Sequence, residues 1–134
     1  MQYEFNTYTT SDGELEVSFL FLEIDKDEWQ AYILTDINYQ RYDEERDDSL
    51  NCIHRLGEYD SDIKDNVFNF IRENNILYTN PKLYYICWTE DITSLENMKE
   101  VAKAWCELTA LYVKYGTEFS VNHPKLKERG IISF

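Results

Sequence analysis

Glu14-Leu15-Glu16-Val17-Ser18-Phe19-Leu20-Phe21-Leu22-Glu23-Ile24 is the stretch on which the fold turns. Successive side chains of an extended strand point to opposite faces, so Leu15, Val17, Phe19 and Phe21 share one face while Glu14, Glu16 and Ser18 share the other. From Leu20 onward the second face turns apolar as well, through Leu22 and Ile24. This is the pattern of a strand that is more deeply buried toward its end.

Its neighbours follow from turn chemistry. Ser11-Asp12-Gly13 precedes it, with Gly13 free to take a positive φ, so residues 2–9 are expected to fold back on it as a hairpin. Asp25-Lys26-Asp27-Glu28 makes the next reversal. Residues 29–39 then alternate again, Trp29, Ala31, Ile33, Thr35, Ile37 and Tyr39 against Gln30, Tyr32, Leu34 and Asp36. Three antiparallel strands in a meander are predicted.

Past Tyr39 the period stops. Residues 41–60 show none, hold the densest acid cluster in the chain (Asp43, Glu44, Glu45, Asp47 and Asp48), and are long for a connection inside a compact domain. From Ser61 the apolar residues Ile63, Val67, Phe70 and Ile71 recur at helical spacing, with Asn74-Asn75 as the stop. Leu83-Tyr84-Tyr85-Ile86-Cys87-Trp88 follows Asn80-Pro81 and is a short β-prone run between turn signals, predicted as a buried strand.

A long helix is predicted over 93–115. Thr93 and Glu96 have capping-box spacing, and Gly116 is placed to take the left-handed conformation that ends a helix. Leu95, Met98, Ala102, Trp105 and Tyr112, flanked by Val101, Leu108 and Leu111, form its apolar stripe, with Glu96, Lys99, Glu100, Lys103 and Glu107 assigned to the solvent side. In the tail, residues 117–134, the run Gly130-Ile131-Ile132-Ser133-Phe134 is a candidate last strand.

The expected architecture is one α+β domain over 1–134: an antiparallel meander sheet of four to five strands covered on one face by two helices, the longer being residues 93–115. A chain of 134 residues buries enough surface to fold without a disulfide or metal. Its apolar content of 43%, with 16% aromatic, is well above that of a disordered chain, so the acidity does not signify disorder. Three cysteines, an odd number, fit a reducing interior. Met1-Gln2-Tyr3-Glu4 has neither the basic flank nor the apolar stretch of a secretion signal, and no run is long enough to span a membrane. A cytoplasmic protein is expected.

Charge divides the chain in two. Residues 1–65 carry 18 Asp and Glu against 5 Lys and Arg, a net charge of −13, whereas residues 66–134 carry 8 of each. The acidic half is the β-rich one and the neutral half is helix-rich. Direct binding to nucleic acid is disfavoured, because phosphate contact needs a basic stripe and only Lys125, Lys127 and Arg129 cluster. Calcium loops need ligands at alternate positions with a glycine at the sixth, which neither Asp25 nor Asp60 begins. Cys52 and His54 lack a second Cys/His pair for zinc. With four glycines in all, phosphate loops and nucleophile elbows are absent. No cofactor and no metal are expected.

These exclusions leave a non-enzymatic binding protein. Carboxylates on a rigid β surface offer negative charge to the arginines and lysines with which a nucleic-acid-handling protein normally holds phosphates. Eleven tyrosines and three tryptophans supply anchors of the kind interfaces use. The expected partner-binding residues are Asp43, Glu44, Glu45, Asp47 and Asp48 in the loop, with Glu14, Glu16, Asp25, Asp27 and Glu28 on the hairpin edges. This short, acidic, aromatic-rich profile is similar to that of phage inhibitors of host defence nucleases and of toxin-immunity proteins. The likeness is one of composition and assigns no residue.

Two further expectations belong to other classes. A nucleotide-like ligand would stack on Tyr39, Tyr42 or Trp88 while Arg55 forks to a phosphate and His54 acts as donor or base. A small hydrolase would use His54 with a nearby carboxylate. Homo-oligomerisation through the edge strand at residues 2–9 is also open.

Overall fold

The computed structural model describes residues 2–37, 56–58, 62–88, 92–117 and 119–134. In chain order the elements are β1 (Tyr3–Thr9), β2 (Glu16–Asp25), β3 (Glu28–Ile33), β4 (Leu56–Glu58), α1 (Asp62–Glu73), β5 (Tyr84–Ile86), α2 (Leu95–Tyr115) and α3 (Phe119–Glu128). The five strands form one sheet in the order β1-β2-β3-β5-β4, every pair antiparallel. The protein is therefore α+β, built on the expected meander and extended on the far side of β3.

Turn residues set the meander. Gly13 takes φ 75° in the first turn and Asp27 φ 55° in the second. Thr10 organises the first of these: its amide donates to the Leu15 carbonyl, its carbonyl accepts from Gly13, and its hydroxyl donates to Asp12 at 2.6 Å. That hydroxyl, with the Glu14 amide, holds the Asp12 carboxyl below the usual carboxylate range.

β3 ends at Ile33, earlier than the alternation over 29–39 implies. Leu34 still donates to the Ser18 carbonyl at 2.8 Å, but the Ser18 amide is taken by the Thr35 hydroxyl, also at 2.8 Å. A side chain has replaced the backbone at the next rung, and the ladder stops. Asp36 then turns outward to accept from the Thr79 amide and hydroxyl. β4 lies within the stretch read as aperiodic, since three residues are too few to show a period.

The two faces of β2 are buried against different helices. Val17, Phe19 and Phe21 join Met98, Val101, Trp105, Leu108 and Tyr112 of α2, and Phe119 and Leu126 bring α3 into the same core. Leu20 and Leu22, on the opposite face, pack with Tyr32, Leu34, Leu83 and with Val67 and Ile71 of α1. One face thus carries two helices, α2 and α3, while the short helix read beside the long one occupies the other face. A strand apolar on both sides needs a cover on both.

The ends of α2 follow the expected physics with one correction. Gly116 takes φ 72° and donates to the Tyr112 carbonyl at 2.7 Å, closing the helix. The N-cap is Ser94 and not Thr93: its hydroxyl accepts from the Asn97 amide at 3.2 Å. This places Glu96 one position short of the reciprocal bond, so no capping box forms. The tail begins with α3, and the candidate last strand at residues 130–134 does not form: Gly130 takes φ 72° and the Ile131 amide returns to the Leu126 carbonyl. α3 carries Pro124 within it and buries only Phe119 and Leu126, a pattern too sparse to read as a helical stripe. Among the described residues no helix is long and apolar enough to cross a membrane.

Candidate functional site

The candidate acids divide between the two ends of the hairpin. Glu14 and Glu16 stand where β2 begins, and Asp25, Asp27 and Glu28 where it turns into β3. At about 3.3 Å per residue the ends of β2 are roughly 30 Å apart, so the two groups do not converge on one spot. Glu14 has a partner: its carboxylate meets the Lys114 ammonium at 3.2 Å, tying the first turn to the end of α2. The hydrogen bond and charge of Glu14 hold the Lys114 pKa above its ordinary value.

Glu16, Asp25, Asp27 and Glu28 are exposed, and among the described residues none has a cationic partner. Asp25 caps its own turn by accepting from the Lys26 amide at 2.8 Å. Across residues 2–37 there are nine carboxylates and a single lysine. Asp43, Glu44, Glu45, Asp47 and Asp48 lie outside the described residues, as do Tyr39, Tyr42, His54 and Arg55.

Trp88, the remaining candidate for ligand stacking, lines a pocket of about 210 Å³ together with Glu28, Gln30, Tyr85 and Cys87. One member of each candidate set therefore meets at this end of the sheet. The Trp88 ring also stands edge-on to His123, 5.9 Å between centroids, and His123 in turn meets the Phe134 carbonyl through Nε2. The tail thus props the tryptophan from behind.

Sequence reading missed the most constrained carboxylate among the described residues. Glu107, assigned to the solvent side of α2, is 5% exposed. Its Oε1 accepts from the Tyr8 hydroxyl and the Ser11 amide, both at 2.8 Å, and its Oε2 from the Ser11 hydroxyl at 3.0 Å. Strand β1 and the first turn are fastened to the middle of α2 by one side chain. Burial, then the hydrogen bond and charge of Glu107, push the Tyr8 phenol well above its ordinary value. The signal lay in its neighbours: Ala104, Cys106, Thr109 and Ala110 are small or thiol-bearing residues that let the far side of the helix be covered, and 104–110 are all buried.

The two described cysteines differ in chemistry. Cys106 is buried, and desolvation followed by the nearby Glu107 charge raises its thiol well above the usual range, whereas Cys87 is exposed. The thiolate is the reactive form. Alkylation of the folded protein should therefore mark Cys87 and spare Cys106 until denaturant is added. Equal labelling rates in a peptide map would contradict this burial.

Among the described residues no group of three His, Cys, Asp or Glu side chains is placed to hold a metal ion. No protein-family model matches the chain, and neither does any curated protein or solved structure.

Proposed function

We propose that the protein is a non-enzymatic acidic binding protein that engages a basic, nucleic-acid-handling protein and acts by occupying it. The observation that supports this most is the surplus of carboxylates on the meander, with Glu16, Asp25, Asp27 and Glu28 exposed and, among the described residues, none of them in a salt bridge. Charges of one sign fixed on a hydrogen-bonded scaffold repel each other in the free protein, and a cationic surface relieves that repulsion on docking.

The test is capture of partners by the tagged protein from its host's lysate, eluted by rising salt, followed by measured affinity for whatever is retained. Neutralising Asp43, Glu44, Glu45, Asp47 and Asp48 to Ser or Gln should weaken binding about tenfold or more, each exposed pair contributing about 0.2–1 kcal/mol, and should flatten the salt dependence. Unchanged affinity at both low and high salt would end the acidic-surface reading.

One observation favours a second reading, a nucleotide-like ligand: Trp88 lines a pocket together with Tyr85. Its volume of about 210 Å³ is below the roughly 300–1,000 Å³ usual for such ligands, which is why it ranks second. It predicts ligand-induced thermal stabilisation that follows mass action and is lost in both Trp88→Ala and Arg55→Ala.

A further inference from the structure

Among the described residues strand β1 is an edge of the sheet, and its bonding pattern leaves one side open. The Glu23 amide donates to the Gln2 carbonyl at 3.0 Å, which marks that pair as hydrogen-bonded. In an antiparallel ladder such pairs recur every second residue, so Glu4, Asn6 and Tyr8 bond to β2, while the amides and carbonyls of Tyr3, Phe5, Thr7 and Thr9 point away from it. The Thr7 amide is taken by the Asn6 side chain at 3.0 Å. Those of Tyr3, Phe5 and Thr9 are left facing outward.

Sheets ordinarily guard such an edge with lysine, proline or a bulge. Tyr-Glu-Phe-Asn-Thr-Tyr-Thr has no Lys or Pro, and its register with β2 runs unbroken from Tyr3 to Thr9. Beside the open backbone lies a cleft of about 400 Å³ between the hairpin and α1. Tyr3 and Phe5 are 61% and 41% exposed, and both rings lean on Phe70 of α1, at 5.6 and 5.8 Å between centroids. Leu20, Leu22 and Val67 form the cleft's floor, and among the described residues Glu73 is the single charged side chain lining it. At the other end of the same strand pair, Glu16 stands opposite Thr9.

We infer that an extended segment of a basic partner adds to β1 as a further strand, setting a bulky apolar side chain into the Tyr3–Phe70 cleft and Lys or Arg residues against Glu73 and Glu16. This rests on the acidic-binding reading and gives it a location. Main-chain bonds to a free edge supply affinity, and alternate side chains entering a pocket supply selectivity. A second copy of this chain is a poor occupant: β1 carries no cation, its Glu4 is already paired with Lys99 of α2, and each copy bears a net charge of −13.

The test is to pan a phage-displayed library of random linear peptides on the folded full-length chain, then map selected peptides by amide chemical shifts. The expected peptides combine Lys or Arg with a large apolar residue, shift the Tyr3, Phe5 and Thr9 amides, and bind more weakly at high salt. Thr9→Pro removes an outward amide without touching the ladder and should weaken them about tenfold, as should the surface reversal Glu73→Lys. Basic peptides that map instead to the turn at residues 25–28 would overturn the edge inference while sparing the acidic-binding reading. Failure to enrich basic peptides anywhere would overturn both. Selection of apolar peptides without basic residues, or concentration-dependent self-association that shifts the same three amides, would show that the edge takes a different occupant and overturn the inference.

Discussion

Trp105→Ala should cost about 3–5 kcal/mol of folding free energy, the largest loss expected from any single truncation among the described residues. The side chain is fully buried, stands edge-on to Phe19 at 6.1 Å between centroids, and belongs to the core that joins β2, β3, α2 and α3. Alanine would leave a cavity under the centre of the sheet, and strands bonded into a ladder cannot collapse into it. Since domains of this size are stable by about 5–15 kcal/mol, the variant should melt roughly 10–20 °C lower and show a reduced denaturant midpoint. Trp88→Ala, at a half-buried position propped by His123, should cost much less. Equal losses at the two tryptophans would contradict the burial that separates them.

Glu107→Ala is expected to cost about 2 kcal/mol or more and, unlike Trp105→Ala, to act first on one corner of the molecule. Three donors converge on this carboxylate, and hydrogen bonds to a charged acceptor contribute about 1.5–3 kcal/mol each, offset by the cost of taking the charge out of water. With the acceptor removed, the Tyr8 hydroxyl and the Ser11 amide lose their partner. Hydrogen exchange at Ser11 should accelerate more than exchange in the core of α2. A variant as stable as the parent, with Ser11 still protected, would show that the carboxylate does not fasten the hairpin.

Alkaline pH probes the same contact. The Tyr8 pKa is raised in the folded state, so the native protein keeps a proton that the unfolded chain loses above about pH 10. The stabilisation is complete below that pH and declines as pH rises through and beyond it. Tyr8→Phe should remove this part of the alkaline decline, and an unchanged profile would refute the contribution.

How much of this was legible depended on the range over which each feature is decided. Gly13, Asp27 and Gly116 take the left-handed conformations that their turn and cap positions demand, because such geometry is settled by a few neighbouring residues. The alternation around β2 was legible because period is a local property. Glu107 was not: its helix position points to solvent by spacing alone, and only the return of the first turn, some 96 residues away in sequence, buries it. β1's open edge was visible as a possibility, but which of its amides face outward required the register with β2.

By itself, then, the sequence determined the antiparallel meander, its turns, the long helix and the placement of net charge in the first 65 residues, since period, chirality and composition act at short range. Tertiary structure alone decided that α1 and α2 lie on opposite faces, that α3 joins the α2 side, that the hairpin acids separate to the two ends of β2, and that an aromatic cleft opens beside an unguarded edge. Those outcomes depend on which distant surfaces meet and exclude water together, and no short stretch of the chain carries that information.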